Sequence, residues 1–240
     1  MIEAKAPSAN AILSVLPPSE RTLLMPLLRP TDLTIRQTLQ EPGEPLEHLW
    51  FPRRGVLSML STMEDGSLVE VATIGNEGMV GLGAVLGTNQ MAQKIFCQIV
   101  GEADRLRIAD FERVRSNLPV LNLLLLRYAA ALVAQIAQGS ACNRLHTIES
   151  RCARWLLMTH DRVDGDRFQL TQDFLAQMLG VARPSVTIAA GMLQAAGLIR
   201  YVRGTIDILD RLRLEDASCE CYGIIRAEFA RLVAAATGSE

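Results

Sequence analysis

The residues with the clearest capacity for chemistry lie in the last third of this 240-residue chain and are mostly basic. Five arginines minus two acids, Asp207 and Asp210, give a local charge of +3, although the whole chain carries −2. The five are Arg183, Arg200, Arg203, Arg211 and Arg213. Guanidinium groups bind phosphate oxygens through charge-assisted hydrogen bonds. This stretch therefore predicts contact with a polyanion.

Two short helices joined by a tight turn are predicted to position these side chains. Thr171 is suited to cap the first helix, because its hydroxyl oxygen can accept a hydrogen bond from a first-turn N–H. Gly180 ends that helix, since glycine enters the left-handed conformation at little cost. Pro184 lies in the first turn of a second helix, predicted over 182–196, where a missing N–H does no harm. Apolar residues recur at helical spacing in both segments: Phe174, Leu175, Met178 and Leu179, then Val186, Ala190 and Leu193.

A β-hairpin is predicted after the second helix. Residues 198–209 contain two short β-branched runs around Gly204, which is a hairpin signal. Helix, turn, helix and hairpin is the layout of a winged helix, which binds DNA. The alternative is an ordinary helical hairpin with a β-ribbon, which packs in the same way and binds nothing.

The sequence contains few motifs for catalysis, metal binding or cofactor binding. The sequence has no Walker-type glycine loop and no Gly-x-Ser-x-Gly motif, so we predict no enzymatic activity and no catalytic residue. Cys219-Glu-Cys221 is too closely spaced for a CxxC motif, and Cys142, His146 and Cys152 do not share one helical face. We therefore predict no metal site. Binding of haem stays an open alternative, because haem needs only one axial residue, and so does binding of another small effector.

The cysteine count and the N-terminal residues indicate the cellular compartment in which the protein is expected. Five scattered cysteines, an odd number, argue against a disulfide framework and for a reducing compartment. The first residues lack the apolar segment of a secretory signal. At this length the chain can bury a sizeable core and is expected to form two domains in the cytoplasm.

The middle of the chain is predicted to form one long helix over 118–138. Apolar residues recur there at spacings of three and four, which is the pattern of a coiled-coil seam. We expect the seam to form a homodimer interface through Leu118, Leu121, Leu125, Tyr128 and Leu132. A buried core helix is one alternative. A transmembrane helix is another, but Asn122, Arg127, Gln135 and Gln138 interrupt the apolar run.

The N-terminal half is predicted to be mostly β. Short β-rich runs between residues 34 and 109 alternate with turn signals, which indicates a small barrel or sandwich. Residues 11–28 and 108–114 are predicted to be helical. The segment 216–233 has the apolar spacing of an amphipathic helix that packs onto the winged helix or a partner subunit.

The order of these elements resembles the Crp/Fnr family of bacterial transcription regulators. The resemblance covers residues 20–215 and is carried most strongly by 149–157 and 170–187, with weaker support at 41–44 and 75–81. It implies an α+β fold: an N-terminal β-roll of the cyclic-nucleotide-binding, jelly-roll type, a long dimerisation helix and a C-terminal winged helix-turn-helix. The expected boundaries are an extension at 1–20, the roll at 21–115, the dimerisation helix at 116–145, the winged helix at 146–215, and a C-terminal helix and tail at 216–240.

The chain departs from the family where cyclic AMP binds. Members that bind it carry a glutamate for the ribose hydroxyl and an arginine for the cyclic phosphate. The corresponding stretch here, 81–96, has Leu82 at the glutamate position, and its one cation is Lys94. Lysine lacks the bidentate fork of arginine. We therefore expect no ordinary cyclic AMP binding, and the roll either binds another small molecule or serves as scaffold.

The recognition helix departs from the family as well. Its three base-contacting positions correspond to Arg183, Pro184 and Ile188. Arg183 can contact guanine O6 and N7, whereas Pro184 removes an acceptor and Ile188 a donor. Ser185 and Thr187 can bond to bases or phosphates. The DNA-binding residues that the resemblance implies are Thr171, Gln172, Arg183, Pro184, Ser185, Thr187, Ile188, Arg200 and Arg203.

Two function classes follow. The first is a homodimeric, sequence-specific transcription regulator that binds a palindrome in double-stranded DNA, gated by an unidentified effector at the roll. RNA polymerase would be a further partner of an activator, and a membrane would not be a partner. The second is a ligand-binding or interaction protein of the same fold that no longer recognises DNA, as the loss at Pro184 and Ile188 suggests.

Overall fold

The computed structural model of the chain describes residues 9–234, with side chains as far as Leu232. The described chain separates into two compact units. Unit 1 comprises residues 9–57, 74–132 and 228–234, and unit 2 comprises 58–73 and 133–227. The units interleave along the chain, whereas the predicted boundaries are contiguous. The predicted extension at 1–20 and tail at 216–240 lie partly outside the described residues.

The N-terminal strands form one five-stranded sheet. They are β1 (Arg29–Leu33), β2 (Thr38–Gln40), β3 (His48–Thr62), β4 (Leu68–Ile74) and β5 (Lys94–Arg107). The order is β1-β5-β3-β4, and β1 and β2 both pair antiparallel with β5. Glycine permits the close approach of β3 to β5, because a Cβ on Gly101 would lie 2.1 Å from the carbonyl oxygen of Arg54. The predicted β-rich half is confirmed.

Helices flank this sheet along the chain. They are α1 (Ala11–Ser14), α2 (Pro18–Leu24), α3 (Leu82–Val85) and α4 (Ile108–Val114), with 3-10 turns at Met25–Leu27 and Arg115–Asn117. The continuous helix predicted over 11–28 is wrong. Pro17 and Pro18 break it, because a residue before proline is driven out of the helical region and proline supplies no N–H.

The long helix α5 (Pro119–Leu145) has 27 residues and continues through Gly139. Both carboxylate oxygens of Glu20 accept hydrogen bonds from its first turn, at 2.7 Å from the N–H of Val120 and 2.9 Å from that of Leu121. A carboxylate there satisfies orphan N–H donors and lies at the positive end of the helix dipole.

The predicted dimer seam lies inside the protomer. Its five residues are at most 4% exposed: Leu118, Leu121, Leu125, Tyr128 and Leu132. The Tyr128 hydroxyl donates to the carbonyl oxygen of Met79 at 3.1 Å, and a Cβ on Gly78 would meet the tyrosine ring at 2.6 Å. Side chains without exposed surface cannot contact another copy, so assigning the interface to these five is wrong. Helical spacing does not distinguish a protomer's own core from an interface.

α5 is also long and apolar enough to span a membrane, judged by length and composition alone. Its buried leucine face and its buried Gln135, which donates to the carbonyl oxygen of Thr73 at 3.2 Å, are features of a core helix. This agrees with the sequence-based preference against a membrane span.

Unit 2 contains the C-terminal elements. They are α6 (Ile148–His160), β6 (Arg167–Gln169), α7 (Gln172–Leu179), α8 (Arg183–Ala195), β7 (Ile199–Val202), β8 (Thr205–Ile208) and α9 (Arg211–Ala217), followed by α10 (Cys221–Ala234), which begins here. The second sheet has the order β6-β8-β7. The tail predicted as one helix is two, because the backbone becomes extended at Ser218. Together the elements confirm the predicted α+β class with its winged helix.

A buried carboxylate lies on β4 within unit 2. The indole nitrogen of Trp155 donates to Glu70 Oε1 at 2.7 Å. Burial raises the pKa of Glu70 from 4.5 to about 7, against the opposing effect of this and another hydrogen bond. A folded pKa above the unfolded one means that Glu70 stabilises the fold most below pH 4.5, and that this contribution is lost as the pH rises through about 7.

Replacing Glu70 with glutamine should flatten this pH dependence. Glu70→Gln keeps an oxygen for the Trp155 indole and removes the charge, so the variant should gain stability relative to the wild type between pH 5 and pH 8, by up to about 3 kcal/mol. Urea unfolding at the two pH values measures the difference. Glu64→Gln, at an exposed glutamate of the β3–β4 hairpin, is the control. Parallel pH profiles for wild type and Glu70→Gln would contradict the assignment.

Candidate nucleic-acid interface

The turn between α7 and α8 is fixed by backbone chemistry. Thr171 Oγ1 accepts a hydrogen bond from the N–H of Phe174 at 3.2 Å, as its predicted role as N-cap requires. Gly180 has φ +63° and closes α7, as predicted. The buried Arg151 donates to the carbonyl oxygen of Leu179, which would otherwise lack a partner at the helix end. The end of α7 is therefore held by Arg151 of α6 as well as by its packing against α8.

Helix α8 has one buried and one exposed face. Val186, Ala189, Ala190 and Leu193 are buried. On the other face, Arg183, Pro184, Thr187, Ile188 and Met192 are exposed at near four-residue spacing, Ile188 to 63% and Met192 to 54%. This face therefore combines one guanidinium and one hydroxyl with apolar side chains, which can contact thymine methyl groups.

Polar contacts hold the start of α8 against α7. The Thr187 hydroxyl lies 2.8 Å from Gln172 Oε1, to which it can donate. Arg183 Nε lies 3.4 Å from Asp173 Oδ1, and both side chains are largely exposed. An exposed pair of this kind contributes little to stability. Arg183 can therefore exchange Asp173 for another acceptor at small cost.

The wing is a two-residue hairpin. Arg203 and Gly204, between β7 and β8, both have positive φ, +49° and +77°, as the turn type favoured in such hairpins requires. The Arg203 side chain is exposed at this tip, and no described carboxylate forms an ion pair with it. Tyr201 fastens the hairpin, since its hydroxyl donates to the carbonyl oxygen of Leu170 at 2.7 Å and its N–H to Gln194 Oε1 at 2.7 Å.

One acid neutralises part of the wing. Arg167 and Arg200 both donate to Asp207, Arg200 Nε at 3.0 Å. These contacts, that of Arg167 foremost, lower the pKa of the Asp207 carboxyl. Arg200 therefore reaches phosphate only in competition with Asp207.

The structure places the nine predicted residues as follows. Gln172 and Ser185 are half-buried, whereas the other seven are exposed: Thr171, Arg183, Pro184, Thr187, Ile188, Arg200 and Arg203. The Thr171 oxygen is already engaged as the helix cap. Arg211, counted in the basic stretch, instead bonds to Glu215 and Tyr222.

Sequence reasoning missed three neighbours of this surface. Asp173 pairs with Arg183, Arg167 joins the wing from β6, and Met192 continues the exposed face of α8. Four-residue spacing from Ile188 could have identified Met192. The three-residue β6 carries no comparable signal.

Two other groups of side chains could hold a small ligand or an ion. A cavity of about 350 Å³ in unit 1 is lined by Arg29, Arg105, Arg107 and Arg113, with His48, Asp110 and Leu27. In unit 2, Cys142, His146, Cys219 and Cys221 bring their ligand atoms within 4.8 Å of one another. The sequence patterns, which predicted no metal site, did not bring these four residues together as a group.

Comparison with known proteins connects this geometry to a family. Residues 150–217 match the model of the Crp-like helix-turn-helix domain. The match agrees with the predicted helix-turn-helix in this part of the chain. No curated protein matches the sequence.

Solved structures share the fold along most of the chain. A Crp/Fnr-family protein from Eubacterium rectale has a TM-score of 0.67 at 16% identity, covering 86% of this chain and 96% of its own. FixK2 from Bradyrhizobium japonicum has 0.68 at 15%, covering 80% and 98%. The c-di-GMP-responsive global regulator CLP of Xanthomonas campestris has 0.58 at 16%, covering 79% and 96%. The predicted resemblance is confirmed: residues 150–217 are a Crp-like helix-turn-helix domain, and the chain has the fold of the Crp/Fnr transcriptional regulators.

Proposed function

We propose that the chain is a sequence-specific transcription regulator that binds a palindromic DNA site as a homodimer. The observation that carries the proposal is the exposed face of α8, with Arg183 at its N-terminal end, in a Crp-like helix-turn-helix domain. The N-terminal half of a recognition helix is the part that enters the major groove.

The residues divide into two roles. Arg183 contacts guanine O6 and N7, and Ile188 and Met192 supply apolar contacts to thymine methyl groups. Thr187 and Ser185 bond to bases or phosphates, and Arg200 and Arg203 contact the backbone from the wing. With proline and isoleucine at two of the family's three base-contacting positions, the target sequence differs from the family's usual one.

We place the dimer interface on the face of α5 that lies opposite the buried seam. Leu123, Leu126 and Val133 are 49%, 51% and 65% exposed, and with the exposed Ala130 they are spaced three, four and three residues apart. This is the a/d spacing of a two-stranded coiled coil. A second copy of the same helix offers a matching stripe about a two-fold axis, as an isologous interface requires. Such a dimer presents two recognition helices to half-sites about 34 Å apart.

An alternative function is ligand binding or protein interaction without specific recognition of DNA. The apolar character of α8 and the engagement of Arg183 by Asp173 favour it. The two functions differ in one measurement. Selection from random double-stranded DNA with the full chain, carried out with and without pyrophosphate and cyclic di-GMP, should enrich an inverted repeat in at least one condition if the proposal is right, and nothing in any condition if the alternative is right.

Substitutions of the two members of the Arg183–Asp173 pair should change the affinity for DNA in opposite directions. On the selected site, Arg183→Ala should weaken binding by about 1–3 kcal/mol and relax the preference at one base pair. Asp173→Asn should strengthen binding, because it frees the guanidinium. Arg21→Ala, at an exposed arginine of α2, is the control and should change neither. Fluorescence anisotropy at fixed salt measures all three, and unchanged affinity and preference in Arg183→Ala would refute its role.

The dimer proposal is tested on Leu126. Leu126→Glu places a charge in the proposed seam, so the protein should become monomeric and its affinity for the inverted repeat should fall at least about tenfold, because the half-sites are no longer bound together. Leu86→Glu, at a leucine 55% exposed after α3, is a matched control. Sedimentation velocity gives the mass. A Leu126→Glu protein that stays dimeric would exclude this face.

We further propose that an effector of the regulator is a small anion bound in the arginine-lined cavity of unit 1. Four guanidiniums there face one carboxylate, Asp110, which Arg107 and Arg113 already share. Burial and the neighbouring Arg105 lower the pKa of His48, so the histidine adds little charge. By contrast, Lys94 in the stretch that corresponds to the cyclic AMP site is paired with Glu41 at 2.8 Å, and Leu82 is buried.

Binding of anions to this cavity should depend on Arg105, which stacks over Trp50 at 5.5 Å. Calorimetric titration with pyrophosphate and with cyclic di-GMP as probes should show binding that weakens at least about tenfold in Arg105→Gln, because the cavity loses a half-buried cation. Arg36→Gln, at an exposed arginine before β2, is the control. Binding that is equal in both variants would place the site elsewhere.

A further inference from the structure

Four metal-ligating side chains from two distant segments meet in unit 2. Cys142 lies near the end of α5 and His146 follows it four residues later, just after the helix. Cys221 is the first residue of α10 and Cys219 lies just before it, more than seventy residues along the chain. The three thiols are buried, and His146 is half-buried.

The distances within this group are those of ligands to one ion. Cys142 Sγ and Cys219 Sγ are 3.5 Å apart, Cys221 Sγ and His146 Nδ1 are 3.5 Å apart, and all four atoms lie within 4.8 Å of one another. Zinc binds sulfur at about 2.3 Å and nitrogen at about 2.0–2.1 Å, so neighbouring ligands of a tetrahedral site lie roughly 3.5–3.8 Å apart. Ligands of an iron–sulfur cluster bind different irons and lie farther apart.

The surroundings orient the ligands. Glu220 Oε2 lies 3.2 Å from His146 Nε2, which leaves Nδ1 directed at the thiols. A carboxylate on the outer nitrogen is the usual partner of a metal-bound histidine. Gln138 Nε2 lies 3.1 Å from Cys221 Sγ, where it can donate a hydrogen bond to a thiolate. Both contacts suit a deprotonated, metal-bound group.

Charge balance points the same way. Arg151 and Arg154 on α6 are only 7% and 8% exposed, and both interact electrostatically with Cys142. Buried cations need an anionic partner. Three thiolates and one divalent cation carry a net charge of −1, which adds an anionic partner to the Glu70 carboxyl that also interacts with Arg154, whereas three neutral thiols add none.

We propose that Cys142, His146, Cys219 and Cys221 bind one Zn²⁺ in a closed, tetrahedral, structural site. The three thiols release their protons to solvent on binding, so the affinity falls as the pH is lowered. The ion joins the end of α5 to the start of α10 and thereby fixes the segment that follows the wing. This inference does not rest on the proposed function, because the site would exist whether or not α8 recognises DNA.

Metal content of the full chain is the first test. Protein purified under reducing conditions without chelator, and then reconstituted with zinc and desalted, should hold one zinc per chain by plasma mass spectrometry. Cys142→Ser and His146→Asn should each lose most of it. Cys97→Ser, at a buried cysteine of unit 1, makes the same chemical change outside the group and should retain it.

A second readout avoids dependence on variants that fail to fold. Wild-type protein loaded with Co²⁺ in place of zinc should show the intense visible absorption of tetrahedral cobalt bound to thiolates, and zinc should displace it. Chelator should lower the thermal unfolding midpoint of the wild type and leave that of Cys142→Ser unchanged, since only bound metal adds stability.

Three results would overturn the proposal. The first is a reconstituted wild type that holds neither zinc nor cobalt, and the second is one that holds iron together with acid-labile sulfide. A Cys142–Cys219 disulfide that persists under the reducing conditions of purification would also exclude a shared ion, because a disulfide sulfur is not a thiolate ligand.

Discussion

One face of α5 is buried inside its own protomer, and this packing decides which side chains of the helix remain on the surface. Tyr128 reaches the carbonyl oxygen of Met79, and the absence of a side chain at Gly78 leaves room for its ring. Glu20 holds the start of the helix through two N–H groups. Because this face is already used, the exposed leucines and Val133 on the other side are free for a second copy. The proposed dimer thus depends on the packing of the monomer.

The DNA-binding half could be predicted from the sequence because its signals are local. Thr171, Gly180 and Pro184 each act within one turn of the chain, and the structure places each in the backbone position that its chemistry requires. The hairpin around Gly204 is equally local. The same reasoning failed for the dimer seam, because two stripes of α5 share the same spacing, and the sequence does not say which stripe is buried in the protomer.

The four proposed metal ligands were missed for a related reason. A spacing rule works when ligands come from one short segment, as in CxxC motifs. Here one pair comes from the region where α5 ends and the other from the region where α10 begins, and only the folded chain brings Cys142 to 3.5 Å from Cys219. Likewise, nothing near Glu70 in the sequence indicates that Trp155 will donate to it.

The acids beside the interface arginines affect how the protein would search DNA. Arg183 has Asp173 and Arg200 has Asp207 as resident counter-charges. An arginine that is already neutralised releases fewer counterions when it meets a phosphate, so attraction to DNA of arbitrary sequence is weakened. A guanine edge that offers two acceptors in the right plane can still displace the acid. In the proposed complex the pairs would therefore lower the background occupancy of random sites more than that of the target, which would raise the ratio of specific to non-specific binding without any added contact.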